Sequence, residues 1–305
     1  MKYNVLISST WMWNPGDEFI RKGCLNLLRE VLPSDTNYFF WDRNPDLLSM
    51  PKIVSNCYNS YNVEELKHIN LVCILGSPDW YGSSYDNLFT FLLDNKIPLL
   101  AIGIGSPFEN ISLDKDALEI YNNSNTFSIA RDVNVAKYIP AKVLPCPAIF
   151  CSDLHEIKTK DRLLITQTHS TKNQNTHPKI FNNLYNNWKN DVCVFYKQCY
   201  KDWISHKPYY SANPDDLIEY IQPYKHIVST RLHGAIAALA QGCNAYIVTS
   251  KDNFRINSTA EEFKPLLSVY NNLESVEYTP SKYKEIKEFK EETRKQYISL
   301  LKDLI

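Results

Sequence analysis

The stretch HIVSTRLHGAIAALAQGCNAYIV, residues 226–248, decides the fold. His226 to Ser229 is a short apolar run with β-branched residues, which fits a buried strand. Ala235 to Gln241 is built of small helix formers and stops at Gly242, and Ala245 to Val248 is a second apolar run. The order is strand, sharp turn, helix, strand, with Arg231 and His233 at the turn. A helix start carries unpaired N–H groups and the positive end of a dipole, so it attracts anions. An arginine there can grip a phosphate or carboxylate through two parallel hydrogen bonds. A histidine beside it can move a proton near neutral pH.

The same alternation runs outward in both directions. Val5 to Ser8 reads as a first strand, followed by an amphipathic helix over 17–31 that Pro33 closes. Tyr38 to Trp41, Leu71 to Leu75, Leu99 to Ile102 and Phe127 to Ala130 read as further strands, with a helix over 85–94 and a short helix opened by Arg131 and Asp132. The prolines and charged residues of 140–160 mark a boundary, after which Arg162 to Ile165 and Val192 to Phe195 resume the strand pattern. At 305 residues the chain suits two domains of about 150 residues each. The expected fold class is α/β: two Rossmann-like domains with mostly parallel sheets, facing across a cleft. The expected division is 1–150, 151–280, and a terminal amphipathic helix over 281–305.

Composition excludes several partners. A formal net charge of -1 supplies no electrostatic attraction for nucleic acid or an anionic membrane. No apolar run reaches the roughly 20 residues of a membrane helix, and the first residues turn polar too soon for a signal peptide, so a cytoplasmic protein is expected. The 8 cysteines include no Cys-x-x-Cys pair and several sit in apolar runs, so they read as buried thiols and no metal site is expected. Nothing in the sequence sets the oligomeric state.

Ligands of open α/β sheets sit outside the carboxyl ends of the strands, so the loops there are the candidate site. The first carries Asn14, Gly16 and Asp17, where Asp17 is either functional or a helix N-cap. The second carries Gly76 and Ser77, with Trp80 and Tyr81 beside them. Those two aromatics, with Trp11 and Trp13, suit either a sugar platform or packing. The third carries Gly103 and Gly105, without the third glycine and acidic residue of a dinucleotide fingerprint. The fourth carries His169. Ser229, Thr230, Arg231, Leu232, His233 and Gly234 complete the set.

Taken together, Asn14-Pro15-Gly16-Asp17-Glu18, Gly103-Ile104-Gly105, Arg131-Asp132 and Ser229-Thr230-Arg231-Leu232-His233 resemble the polysaccharide pyruvyl transferase family, in the family's order and over residues 1 to about 260. The chain departs from the family pattern at Gly76-Ser77-Pro78, where a glycine triplet is usual, and at Cys146-Pro147, where Asp-Pro is usual. The resemblance implies a GT-B-like arrangement and transfer of pyruvate from phosphoenolpyruvate to a saccharide or glycolipid, forming a ketal without a cofactor. Arg231 is then expected to hold the donor's phosphate or carboxylate, aided by the amides of Leu232 and His233. His233 is expected to transfer a proton or touch the phosphate, and Asn14 and catalytic Asp17 to face them across the cleft. Substrate contacts are expected from Asn14, Gly16, Gly76, Ser77, Gly103, Gly105, His169, Ser229, Thr230, Leu232 and Gly234. The alternatives are a nucleotide-sugar-dependent glycosyltransferase of the same fold and a catalytically silent binding protein, the latter suggested by the altered Gly-Ser-Pro loop.

Overall fold

The computed structural model describes residues 3–9, 14–42, 57–59, 66–76, 80, 86–167, 191–194, 209–211, 213–249, 252–272 and 275–304. The apolar runs assemble into two parallel sheets. The first contains β1 (Asn4–Ser9), β2 (Asn37–Asp42), β3 (Cys57–Asn59), β4 (Leu71–Leu75), β5 (Leu99–Ile104), β6 (Thr126–Ala130) and β7 (Lys142–Val143), in the order β3-β2-β1-β4-β5-β6-β7. The second contains β8 (Leu164–Gln167), β9 (Asp191–Val194), β10 (His226–Ser229), β11 (Asn244–Val248) and β12 (Ser268–Tyr270), in the order β12-β11-β10-β8-β9. Every residue of β4, β5 and β11 is buried. That is why these strands read as unbroken apolar runs: a parallel sheet is covered on both faces.

The α-helices over 15–31, 86–95, 232–240 and 283–302 lie where helices are expected, with small shifts, whereas those over 115–121, 214–221 and 254–261 have no individual expectation. They are α1 (Pro15–Val31), α2 (Asp86–Asn95), α3 (Lys115–Tyr121), α4 (Pro214–Ile221), α5 (Leu232–Ala240), α6 (Phe254–Glu261) and α7 (Tyr283–Lys302). α1 begins two residues before the expected start because Asn14, not Asp17, is its N-cap: the Asn14 side chain accepts from the Gly16 amide at 3.1 Å. Proline at the first helical position costs no hydrogen bond. The short strands β3, β7 and β12 are too brief to produce a sequence pattern. Arg131 and Asp132 do not open an α-helix; residues 131–134 form a turn that leads into a 3-10 helix, Val135–Lys137. The Asp132 carboxylate dictates this, accepting from the amides of Ser106 at 2.8 Å and of Asn134 and Val135 at 3.2 Å.

In each sheet the strand order reverses beside a central strand, between β1 and β4 and between β10 and β8. The loops leaving β1 and β10 therefore lie at the switch points where ligands enter such sheets. The two halves pack directly on one another. One hydrophobic cluster includes Phe19, Ile20 and Leu27 of α1, Ile149 and Phe150 of the 3-10 helix Pro147–Phe150, Ala235 to Ala240 of α5, and Ile286 and Tyr297 of α7. At Gly23 a Cβ would come within 1.9 Å of the Pro147 carbonyl, so α1 and that 3-10 helix meet at a distance only glycine allows. α7 follows the second sheet yet returns to the first half. Its Tyr297 hydroxyl donates to the Pro145 carbonyl at 2.9 Å, and its Arg294 pairs with Glu30. No helix among the described residues is long and apolar enough to cross a membrane.

Candidate active site

The starts of α1 and α5 touch. His233, the second residue of α5, is only 3% exposed, and its ring lies against Gly16 in the first turn of α1. A Cβ at Gly16 would stand 2.8 Å from His233 Nδ1, so any side chain there would push the imidazole away. Arg131, fully buried at the carboxyl end of β6, reaches the opposite ring nitrogen, with Nη1 3.1 Å from His233 Nε2. Gly105 makes room for it: a Cβ there would fall 2.2 Å from Arg131 Nε. Two glycines thus seat an arginine and a histidine from opposite halves in contact.

That contact defines a protonation state. A guanidinium only donates hydrogen bonds, so His233 Nε2 is the acceptor, the imidazole is neutral and its proton is on Nδ1. Burial holds the imidazole well below its usual range, reinforced by the charges of Arg131, Arg255 and Arg231. Three guanidinium groups therefore act on one buried histidine. Arg131 Nε and Nη2 are buried and find no well-aligned hydrogen-bond partner among the described residues, although the Cys146 thiol lies within hydrogen-bonding reach of the guanidinium. A buried donor left unsatisfied costs about 1–3 kcal/mol, which makes these two nitrogens candidate contacts for a ligand. The neighbouring Cys146 thiol is pushed up by burial, with the Arg131 charge pulling the other way.

The remaining predicted residues separate into two groups. Asp17 is buried beside Gly16 and accepts from Asn14 Nδ2 at 2.8 Å. Asn14, Gly16, Asp17, Arg231 and His233 thus come together at the touching helix starts, rather than across an open gap. Ser229 and Thr230 shape the turn. Ser229 Oγ accepts from the Arg231 amide at 3.0 Å and from Thr166 Oγ1 at 2.6 Å, and donates to the Arg231 carbonyl at 2.7 Å. The Thr230 amide donates to the Thr166 carbonyl at 3.1 Å. Leu232 packs in the core and Gly234 is buried inside α5.

Gly76 and Gly103 have positive φ values of 64° and 67°. Their close neighbours are Ile20 and Pro147, with clearances only a missing Cβ provides: Gly76 follows the end of β4 under α1, and Gly103 sits at a register irregularity inside β5 under the 3-10 helix Pro147–Phe150. Trp80 is completely buried, donates Nε1 to the Gly105 carbonyl at 3.1 Å, and meets Tyr121 edge-on at 5.5 Å. It is a core pillar behind the Gly105 loop and no sugar platform. Ser77, His169, Trp11, Trp13 and Tyr81 lie outside the described residues.

Four residues near the site were not among the expected contacts. Arg131 and Asp132 follow β6 just as the other candidates follow their strands, and that position was the available signal. Arg255, in the first turn of α6, acts on His233 only through the tertiary fold. Glu262, just past α6, has its carboxyl raised by burial and then by the charges of Asp132 and Glu261, which brings the second half's carboxylates towards the first half's Asp132.

The polysaccharide pyruvyl transferase family model matches residues 14–253. No curated protein matches the chain. Among solved structures, it is similar to the glycotransferase of kitacinnamycin at 8% identity and a TM-score of 0.58, covering 100% of this chain and 99% of that one. The UDP-GlcNAc 2-epimerase from Methanocaldococcus jannaschii is 9% identical with a TM-score of 0.51, over 95% of this chain and 92% of the other. The calicheamicin glycosyltransferase is 10% identical with a TM-score of 0.51, over 99% and 97%. At such identities the likeness shows the fold alone: a two-domain, GT-B-like α/β architecture with mostly parallel sheets.

Proposed function

The chain belongs to the polysaccharide pyruvyl transferase family, and from that premise we propose that it moves a pyruvyl group from phosphoenolpyruvate onto two hydroxyls of a saccharide, free or lipid-carried, forming a ketal. The observation that supports this reading is the buried Arg131, with two nitrogens that find no well-aligned partner among the described residues, in contact with neutral His233 at the start of α5. Phosphoenolpyruvate bears a phosphate and a carboxylate, so its site needs several cations and open amides. Arg131, Arg231 and Arg255 around one helix start meet that need.

The chemistry needs one proton delivered and one leaving group expelled. A proton adds to the methylene carbon, turning it into a methyl group, and a saccharide hydroxyl oxygen bonds to the central carbon. The bond from that carbon to the phosphate oxygen then breaks, its electron pair leaving with the phosphate. The second hydroxyl oxygen takes the vacated position and closes the ring. Of the two hydroxyl protons released, one restores the proton given to carbon and the other ends on phosphate. In this reading His233 handles the carbon proton, Arg231 and Arg131 hold the donor's anionic groups, and Asp17 accepts a hydroxyl proton from the acceptor side.

Thermal unfolding with phosphoenolpyruvate, UDP and GDP tests the donor. Stabilisation by phosphoenolpyruvate, lost in Arg231→Ala and His233→Ala, is the expected result; stabilisation by nucleotides alone would replace this reading with a nucleotide-sugar transferase. Phosphate release on adding saccharides then distinguishes turnover from silent binding.

A further inference from the structure

His233 in the free protein is in the wrong state to give a proton to a ligand. Its Nδ1 bears the proton and lies against Gly16, where not even a Cβ fits. Its Nε2, the nitrogen on the other side of the ring, accepts from Arg131 Nη1 at 3.1 Å. Arg131 is at the same time the guanidinium with two nitrogens that find no well-aligned partner among the described residues. The group that blocks the imidazole is therefore the group prepared for an anion. Resting on the pyruvyl-transfer reading, we propose that Arg131 is a positioning residue for His233: the donor's anionic group draws Arg131 into its own hydrogen bonds, and Nε2, released, takes up one proton from solvent.

The surrounding charges favour this exchange. The groups facing the imidazole are Arg231 on its own turn, Arg131 after β6 and Arg255 on α6, all three opposing a positive charge on the ring. Asp17 and Glu18 lie in the adjoining first turn of α1, Asp132 beside Arg131, and the Cys146 thiol under the reach of the Arg131 charge. An incoming phosphate or carboxylate neutralises the arginines and adds an anion beside Nε2, so the charged ring becomes the favoured form. Donor binding is then a proton-linked event with a definite sign. The complex holds one more proton than the free partners, so affinity falls as pH rises, by up to tenfold per pH unit between the free and bound titration points of His233.

Calorimetric titration of the whole protein with phosphoenolpyruvate at pH 7.5, in buffers of different ionisation enthalpy, measures the uptake directly. About one proton per bound donor is expected for the wild type and about none for His233→Gln. Nitrogen-15 spectra of the His233 ring supply a second signature that needs no variant. An unprotonated Nε2 is expected in the free protein, and both ring nitrogens protonated with donor bound. Binding without proton uptake, uptake that survives His233→Gln, or a protonated Nε2 in the free protein would each overturn the exchange while leaving the donor assignment intact. Failure of phosphoenolpyruvate to bind at all would remove the donor assignment and the exchange with it.

Discussion

The starts of α1 and α5 meet at one point and are built in opposite ways. α1 satisfies itself: the Asn14 side chain caps it, and Asp17 and Glu18 place two carboxylates in its first turn. α5 has Arg231 at its N-cap, no side-chain cap bond and no acidic residue in its first turn. A helix start compensated by its own carboxylates has little attraction left for an anion, whereas an uncapped start flanked by guanidinium groups has a great deal. The same backbone feature, used twice, thus divides the site. Under the proposed function, the anionic donor would sit at α5, and the carboxylates of α1 would suit the hydroxyls of an acceptor.

The largest expected effect comes from forcing the two starts apart. Gly16→Val puts a branched side chain where His233 Nδ1 now lies, 2.8 Å from the nearest possible Cβ. Saccharide-dependent phosphate release should fall by about a hundredfold, the scale of a 1 Å misplacement in a catalytic group. Normal turnover in that variant would mean the contact is incidental.

Next comes the test of the division itself. Arg231→Ala should weaken phosphoenolpyruvate binding by about 10- to 100-fold, the range of one hydrogen bond to a charged group. Asp17→Asn should leave that affinity within about twofold and act on acceptor-dependent turnover instead. Calorimetry on both variants decides it, and equal losses of donor affinity would erase the contrast. A smaller effect follows from giving the anion side a carboxylate of its own. Cys146→Asp sets a negative charge under the influence of Arg131, and donor affinity should drop by about tenfold as the guanidinium acquires a fixed partner. Least of all, Asn14→Ala removes the α1 cap and should cost about 1 kcal/mol of stability in denaturant unfolding, with α5 untouched.

This contrast was half legible in the sequence. The apolar runs that became β4, β5 and most of β11 are read from composition alone, because a doubly covered strand leaves few polar residues to confuse the pattern. Arg231 and His233 stood out because a strand and a helix bracket them within a few residues. The partner that gives His233 its tautomer did not. Arg131 lies 102 residues away, and although its place after a strand and its part in the resemblance marked it, nothing local tied it to His233. Glycines misled for a different reason. Gly76 and Gly103 look in sequence like Gly16 and Gly105, but Gly76 clears Ile20 and Gly103 clears Pro147, while Gly16 clears His233 and Gly105 clears Arg131. A missing Cβ records that something approaches closely, and only the fold says what. Trp80 carries the same lesson, since an indole beside a glycine-rich loop serves as well beneath the loop as above it.

α7 fastens the two halves after both are made. It bonds to Pro145 and Glu30 in one direction, while Lys290, buried and held down to about 8 by that burial, donates to the Ala240 carbonyl at 2.8 Å in the other. Translation produces both sheets before this helix, so α1, α5 and the 3-10 helix Pro147–Phe150 are in the growing chain before α7 adds its tie across them. A chain severed ahead of Tyr283 would keep both walls of the site and lose the strap across their back. The last tie between the two halves is in that sense supplied by a helix made after both of them.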